Sequence, residues 1–401
     1  MLALTHARLI DGTGAPPRDE ATVVIAEGRI HSIGVGEPPP AEARVIDLAG
    51  RTLLPGLIDA HVHLSSLALP QPEMQSRNLT PDLQAYGLRY VSRQMLEAGL
   101  TTVRDAGSYG RSLFTLRQAI GLGLCEGPRL VLCGQIVAAT SPGARAFAGM
   151  YREADGPDDM RKAVREQIRQ GADFIKIMAT GALTVPDEDI NPAQMTLEEV
   201  RAIVDEAHRM GFKVASHAEG LDGIKLSVEA GVDTLEHGEM GYRDPQVLEA
   251  MAEKGVILVP TLCVFEAVAN AKASFPQWML DQAKRLGESA LKTVGAARKA
   301  GVMMAMGADA GPHGENAREL VKMVEAGLSP MEGILAATHI AARACGLEHE
   351  IGAVAVGRAA DLLVIDGDPL QDVRLFTQSE RRWLVIQGGK VVAGRAMRPN
   401  L

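Results

Sequence analysis

The sequence lacks the features that mark several classes of protein. Aromatic residues make up only 3% of its 401 residues, and no apolar run is long enough to span a membrane. Basic residues form no long run and the formal net charge is -9, which argues against a nucleic-acid partner. The N-terminal segment has no basic stretch followed by a long apolar one, as a secretory signal has. We therefore expect a cytoplasmic protein with neither a membrane nor a nucleic-acid partner.

Cysteine is also scarce. The four cysteines are Cys125, Cys133, Cys263 and Cys345, and no two of them have Cys-x-x-Cys spacing. A chain of this length can bury a large core without the help of disulfide bonds. We interpret all four as reduced thiols in the core and assign none of them a nucleophilic role.

Two different patterns divide the chain. Residues 1–55 and 356–401 alternate polar and apolar positions between turns rich in Gly and Pro, which is typical of antiparallel strands. Residues 56–355 alternate strand-like apolar runs with amphipathic helices, which predicts parallel strands joined by crossover helices. We predict an α/β protein in which a (β/α)8 TIM barrel carries a small β-sandwich domain built from both termini. An open doubly wound sheet is the alternative, but no Gly-x-Gly-x-x-Gly turn follows the first strand.

Local signals support this division. The segment Thr196 to Met210 is a helix candidate, and its "TLEEV" start matches a capping box of Thr196 and Glu199. The eight strand candidates of the middle region begin with "LIDAHVHL" and end with "MMAMGADAG". Their number suits a closed barrel.

Most of these strand candidates end in side chains that can bind metal ions. The carboxyl ends of barrel strands converge on one mouth, which brings residues that are distant in sequence close together. Each residue alone has a simpler explanation, such as a hydrogen-bonded histidine or a helix-capping aspartate. Together they predict a metal site. The candidate ligands are His61, His63, Lys176, His217, His237 and Asp309.

Lys176 lies in the apolar run "DFIKIMA", where a charged ammonium group is costly to bury. Burial lowers the pKa of a lysine, and a neutral amine can take up carbon dioxide to form a carbamate that bridges two cations. The alternative, a lysine paired with a barrel carboxylate, is equally compatible with the sequence.

Several segments resemble the amidohydrolase superfamily of metal-dependent hydrolases. They are "LLPGLIDAHVHL", "TTVRDAG", "FIKIMATG", "VASHAEG", "TLEHGE" and "GADAGPHGENARELVKMVEAGLSP". The sequence is most similar to the branch that contains prolidase-like Xaa-Pro dipeptidases, carboxypeptidases and imidazolonepropionase-related proteins. The likeness extends over almost the whole chain, including "GAVAVGRAADLLVIDGDPL" near the C-terminus.

This resemblance implies two divalent metal ions, usually zinc. His61 and His63 would bind one ion, His217 and His237 the other, and a carbon dioxide-derived carbamate on Lys176 would bridge them. Asp309 would bind metal and act as the catalytic residue, taking a proton from the bridging hydroxide and passing it to the leaving amine. A small-molecule substrate and assembly into a homo-oligomer are also implied.

One departure from the family concerns the substrate contacts. Many relatives carry a Gly-Gly-His-Gly stretch after the third strand, but this chain has "AATSPGARAFAG" without a histidine. Ser141 or Arg145 could take over that contact, and Tyr242 and His313 also follow strand ends. Three aromatic residues could form an apolar wall of the pocket, although surface packing explains them as well: Phe265, Phe275 and Trp278.

The sequence therefore predicts hydrolysis of an amide bond, peptide-like or in an N-acyl amino acid, by a metal-bridging hydroxide. A second hypothesis keeps the site but has it cleave an ester, lactone, carbamate or phosphotriester. A basic group in the pocket would favour a peptide with a free carboxylate, whereas an apolar pocket would favour neutral substrates. A catalytically silent scaffold is a third hypothesis. A mononuclear deaminase is a fourth, because Glu219 stands near His217.

Overall fold

A computed structural model describes residues 1–65, 79–185, 188–270, 275–310 and 313–397. Its N-terminal part consists of strands β1 (Leu2–Leu9), β2 (Arg18–Ala26), β3 (Arg29–Val35), β4 (Arg44–Asp47) and β5 (Thr52–Pro55). Strand β2 pairs antiparallel with β1 and β3, and β1 also pairs parallel with β4 and β5. Glu27 and Gly28 have positive φ angles of 51° and 78°, which suit the tight turn between β2 and β3.

Parallel strands follow in the middle of the chain. They are β6 (Leu57–Val62), β7 (Leu100–Asp105), β8 (Arg129–Leu132), β9 (Ile136–Ala138), β10 (Tyr151–Glu153), β11 (Phe174–Met178), β12 (Lys213–Ala218), β13 (Thr234–His237) and β14 (Ile257–Val259). One sheet has the order β6-β7-β8, and the other has the order β10-β9-β11-β12-β13-β14. Each predicted strand of this region except the last lies in one of these two sheets.

Helices connect the parallel strands. They are α1 (Pro81–Glu97), α2 (Ser112–Gly121), α3 (Pro142–Ala146), α4 (Pro157–Gln170), α5 (Leu197–Arg209), α6 (Leu221–Ala230), α7 (Pro245–Lys254), α8 (Leu262–Asn270), α9 (Gln277–Ala300), α10 (Arg318–Glu325), α11 (Pro330–Ala336) and α12 (His339–Ala344). The predicted capping box of α5 is present, because Thr196 and Glu199 each accept a hydrogen bond from the backbone N–H of the other. Among the described residues, no helix has the length and apolar character needed to cross a bilayer.

The segment predicted as the eighth strand, residues 303–309, is not a regular strand. It forms only isolated bridges, between Met304 and Leu258 of β14 and between Asp309 and Val62 of β6. The backbone N–H of Ala60 also donates to the carbonyl of Met306 at 2.8 Å. The chain leaves extended geometry at Asp309, where φ is 60°. The described residues therefore form two parallel sheets and not one continuous closed ladder.

The two parallel sheets also meet at the end of β8, which corresponds to the third predicted strand, "PRLVLCG". Gly134, with φ of 76°, ends this segment, and β9 begins two residues later, outside the predicted strand. Strand β9 pairs with β11, and the N–H of Asp173 donates to the carbonyl of Leu132 at 2.7 Å. The end of the third predicted strand is thus hydrogen-bonded to the residue that precedes β11 in the other sheet.

The last strands return to the N-terminal ones. They are β15 (Leu362–Ile365), β16 (Arg382–Gln387) and β17 (Lys390–Ala393). Strand β15 pairs antiparallel with β5 and β16, so one mixed sheet contains strands from both ends of the chain. Its buried apolar side chains form a cluster apart from the core around the parallel strands, and this cluster includes Leu4, Val23, Ile25, Leu53, Val364 and Ile386.

Candidate metal centre

The histidines predicted as ligands lie at the carboxyl ends of the parallel strands. His61 lies in β6, and His63 follows the end of that strand. His217 lies in β12, and His237 is the last residue of β13, where it pairs in register with Ala218. Because neighbouring parallel strands end at the same edge of a sheet, these side chains meet although they come from distant parts of the chain.

His61, His63 and Asp309 form a compact group that could hold a metal ion. Their ligand atoms all lie within 4.8 Å of one another. The Nε2 atoms of His61 and His63 are 3.4 Å apart, and Oδ1 of Asp309 is 3.5 Å from Nε2 of His63. The other histidines adjoin this group, because the ring centroid of His237 is 5.0 Å from that of His61 and 4.5 Å from that of His217.

Hydrogen bonds determine which nitrogen of the histidines faces the cavity. Nδ1 of His63 lies 2.9 Å from the carbonyl oxygen of Gly107, and Nε2 of His217 lies 3.2 Å from that of Gly181. A carbonyl oxygen only accepts hydrogen bonds, so each of these nitrogens carries the proton. The other nitrogen of each ring keeps its lone pair, which is how metal-binding histidines are held in proteins.

His61 is held by a buried ion pair. Its Nδ1 lies 2.6 Å from Oε2 of Glu236, which leaves Nε2 facing His63. Nη2 of Arg104 donates to Oε1 of Glu236 at 2.8 Å, and the side chains of Arg104 and Glu236 are 1% and 0% exposed. The hydroxyl of Thr234 also donates to Glu236. The carboxylate is thus fully paired and can orient the imidazole.

Three residues at the site have positive φ angles that are uncommon for residues other than glycine. They are His237, Thr261 and Asp309, with φ of 70°, 48° and 60°. Such conformations cost about 1 to 3 kcal/mol each and are concentrated at functional sites. The hydroxyl of Thr261 lies 2.8 Å from Nδ1 of His237, so two of these three residues contact each other through their side chains.

Comparison with known proteins identifies the family. A model of the amidohydrolase family matches residues 52–392, and the ochratoxinase of Aspergillus niger is 33% identical over 422 aligned positions, which cover 98% of this chain and 86% of that protein. The chain belongs to the amidohydrolase family. It is therefore a hydrolase, and the resemblance deduced from the sequence motifs is confirmed.

Two further relatives of this amidohydrolase confirm the branch within the superfamily. The imidazolonepropionase of Aeromonas hydrophila is 26% identical, and the alignment covers 92% of this chain and 91% of that protein. The crystal structure of a Xaa-Pro dipeptidase with bound methionine in the active site has a TM-score of 0.88 and 30% sequence identity, with 97% of this chain and 99% of that chain covered.

Burial sets the charge states of the amidohydrolase site in the absence of ions. It lowers the pKa of His217 to about 3 and also lowers the pKa of His61, so these imidazoles stay neutral and able to bind metal. Burial likewise lowers the pKa of the Lys176 ammonium, although Glu236 and Asp309 act in the opposite direction. A lower pKa makes the free amine more accessible, as carbamate formation requires.

A cavity of about 180 Å³ opens onto these residues. Five of the six predicted ligands line it: His63, Lys176, His217, His237 and Asp309. Its walls are mostly apolar and include Ile136, Phe147, Met150, Tyr151, Met178, Leu183, Val264, Phe265 and Val268. Lys176 is the only lysine or arginine among the described lining residues, and Glu219 is a second carboxyl side chain besides Asp309.

The predicted substrate contacts are not among the residues that line this cavity. Arg145 is exposed on α3, and Ser141 is the residue that precedes that helix. Tyr242 lies near Lys292, whose Nζ is 5.4 Å from the centre of its ring, and His313 is buried. These roles stay predictions. The region after α3 does reach the cavity, but through Phe147 and Tyr151.

Two buried acidic residues that support the site were not singled out from the sequence. Glu236 is one, although it stands directly before His237 in "TLEHGE". Asp59 is another: it accepts hydrogen bonds from the backbone N–H of His61 at 3.0 Å and from the side chain of Asn316 at 2.7 Å. A carboxylate one or two residues from a predicted ligand histidine is the signal that could have revealed both.

Proposed function

We propose that the chain is a two-metal amidohydrolase that cleaves an amide bond, peptide-like or in an N-acyl amino acid. The observation that carries this proposal is the set of neutral, hydrogen-bonded histidines that share one cavity with Lys176 and Asp309. The membership in the amidohydrolase family and the likeness to a Xaa-Pro dipeptidase support amide hydrolysis.

In this proposal His61 and His63 would hold one divalent ion, and His217 and His237 would hold a second. A carbamate on Lys176 would be a further ligand of these ions. Such ions lower the pKa of a water molecule and polarise the carbonyl group of a substrate. We further propose that they are zinc ions.

Asp309 is the catalytic residue of the proposed mechanism. Its carboxylate is 3.5 Å from Nε2 of His63 and lines the cavity, so it can reach both the attacking water and the amide nitrogen. It accepts the proton of the water during attack and delivers it to the nitrogen of the leaving amine. This proton transfer distinguishes Asp309 from the four histidines, which only bind the ions in this proposal.

The proposed barrel and domain limits are those predicted from the sequence. Residues 303–309 contact β14 and β6, and the carbonyl of Leu132 at the end of β8 accepts a hydrogen bond from the N–H of Asp173, which precedes β11. These contacts support an eight-stranded TIM barrel closed at these two places. We propose the domain limits 56–355 for the barrel and 1–55 with 356–401 for the terminal domain. Cytoplasmic location and a homo-oligomeric state are part of the same proposal.

The test combines metal content with hydrolysis by the wild type and by Asp309→Asn. We expect about two metal ions per chain and turnover of dipeptides or N-acyl amino acids, and we expect the variant to lose about 100-fold or more in kcat while it keeps its circular dichroism spectrum. One ion per chain with release of ammonia would favour the mononuclear deaminase. Neither metal nor turnover would favour the silent scaffold.

One observation favours a second candidate, hydrolysis of a neutral ester, lactone, carbamate or phosphotriester. Apart from Lys176, which the metal centre requires, the described part of the cavity offers no lysine or arginine for a substrate carboxylate. Its apolar walls would accept uncharged groups. Turnover of aryl esters or carbamates without turnover of any amide would establish this candidate.

A further inference from the structure

Glu219 is a buried carboxylate whose hydrogen-bonding capacity is only partly used. It is 4% exposed and lines the cavity. Its Oε1 atom accepts a hydrogen bond from the backbone N–H of Leu183 at 3.0 Å, and Nε2 of His217 is 3.6 Å from the same oxygen. Its Oε2 atom has no partner among the described residues. A buried carboxylate oxygen without a donor is costly unless a ligand or water supplies one.

A second acidic side chain on this side of the site also lacks hydrogen-bond partners. Glu239 is 0% exposed, and neither of its carboxylate oxygens has a partner among the described residues. No arginine lines the described part of the cavity, and Lys176 belongs to the proposed metal centre. A cation from outside the chain would complement these carboxylates.

We propose that Glu219 binds the α-ammonium group of the substrate, so that the preferred substrates are aminoacyl amides with a free amino terminus. This inference rests on the proposed amide hydrolysis and names its substrate class. Glu219 is close to His217, so the group that it binds must be near the reacting carbonyl. An α-ammonium group is attached one carbon atom from that carbonyl, whereas a side-chain ammonium is farther away.

The walls of the cavity suit the rest of such a substrate. Phe147 and Tyr151 are stacked with ring centroids 5.5 Å apart, and Phe265 also lines the cavity. An apolar or aromatic side chain on the aminoacyl group would bury its surface against them. The cavity thus offers the carboxyl group of Glu219 beside the proposed metal centre and apolar surface around it.

The test compares phenylalanyl-leucine with 3-phenylpropanoyl-leucine, which differs only by the missing α-ammonium group. For the metal-loaded wild type, we expect kcat/KM to be at least about tenfold higher for the free-amine substrate. Glu219→Gln keeps the size of the side chain and is expected to reduce this ratio at least about tenfold. Glu288→Gln removes the same charge from an exposed position on α9 and should leave the ratio as in the wild type.

Binding separates this inference from the proposed function. By calorimetry, phenylalanine amide should bind the wild type at least about tenfold more tightly than 3-phenylpropanamide, and Glu219→Gln should abolish the difference. The binding result tests the inference even if the protein hydrolyses no peptide. The absence of peptide hydrolysis would refute only the proposed amide hydrolysis. Equal binding of the two amides by the wild type would overturn the inference.

Two other results would assign Glu219 a different role. If Glu219→Gln lowered turnover of both substrates equally, the carboxylate would take part in the reaction itself. If it lowered the metal content per folded chain, the carboxylate would hold an ion. Either result contradicts an ammonium subsite.

Discussion

Single side chains around the histidines control how the site presents its nitrogen atoms. A histidine can bind a metal ion through either ring nitrogen, and the choice depends on the partner of the other nitrogen. For His61 that partner is Glu236, which is itself paired with Arg104. Both side chains of this ion pair are buried, so its loss should directly affect the orientation of His61.

We predict that Glu236→Gln weakens metal binding by about 10- to 100-fold, because His61 loses the carboxylate that orients it. The measurement is a competition titration against a chelator. The variant leaves the charge of Arg104 buried without a counterion, which costs about 3 to 5 kcal/mol, so folding must be verified first. The double variant Arg104→Gln/Glu236→Gln removes that charge as well. Unchanged metal affinity in a folded variant would contradict the orienting role.

The role of the Lys176 side chain can also be tested by substitution. Lys176→Ala removes the proposed bridging carbamate, so the purified variant should contain less metal than the wild type. Short carboxylic acids such as acetate or propionate should restore part of the metal and of the activity, because they can occupy the same space as the carbamate. Full metal content in the untreated variant would argue that Lys176 is instead paired with a barrel carboxylate.

The element that determines the geometry of the site is the irregular segment 303–309. It lies between β14 and β6, and Gly307 makes this close approach possible. A Cβ atom on Gly307 would lie 2.4 Å from Cγ1 of Val259 and 2.7 Å from Cβ of His61. Any larger residue must push the segment away from the strand that carries His61, the first proposed ligand.

We predict that Gly307→Ala lowers the free energy of unfolding by about 1 to 3 kcal/mol and also weakens metal binding, since His61 must move. The control is Gly295→Ala in α9, where a Cβ atom would meet nothing within 4 Å. That change should stabilise the protein by about 0.4 to 1 kcal/mol by restricting the unfolded chain. Urea unfolding of both variants checks the prediction, and equal effects would refute it.

For the whole molecule, the buried histidines link stability to pH. His217 has a pKa of about 3 in the metal-free protein because burial disfavours its charged form, whereas an unfolded histidine titrates near 6.5. Between these values the unfolded chain binds the additional proton, so the free energy of unfolding rises with pH. The contribution is complete above about pH 6.5 and is lost progressively as the pH falls towards 3.

Buried carboxyl groups such as Asp59, whose pKa burial raises to about 7, act in the opposite direction, so the effect of His217 must be isolated. We predict that, with chelator present, the pH dependence of unfolding differs between the wild type and His217→Asn. The stability of the wild type relative to the variant should fall by about 2 kcal/mol between pH 7.5 and pH 5.0. His31→Asn on the exposed side of β3 is the control and should show no comparable change.

The sequence by itself determined the family, the ligand candidates and the local elements. Patterns such as "HVH" at a strand end or the capping box at Thr196 depend on residues a few positions apart, and short-range geometry suffices to interpret them. The alternation of strands and helices was equally visible in the sequence. It predicted parallel strands, whose carboxyl ends meet at one edge.

Only the tertiary structure decided which partners these residues have. Arg104 and Glu236 are 132 positions apart, and nothing in either segment indicates that they pair. The eighth segment is bent at Asp309, and Phe147 rather than Arg145 reaches the cavity. That Oε2 of Glu219 has no hydrogen-bond partner among the described residues is likewise known only from the tertiary structure. Such contacts result from the packing of distant segments, which a local pattern does not encode.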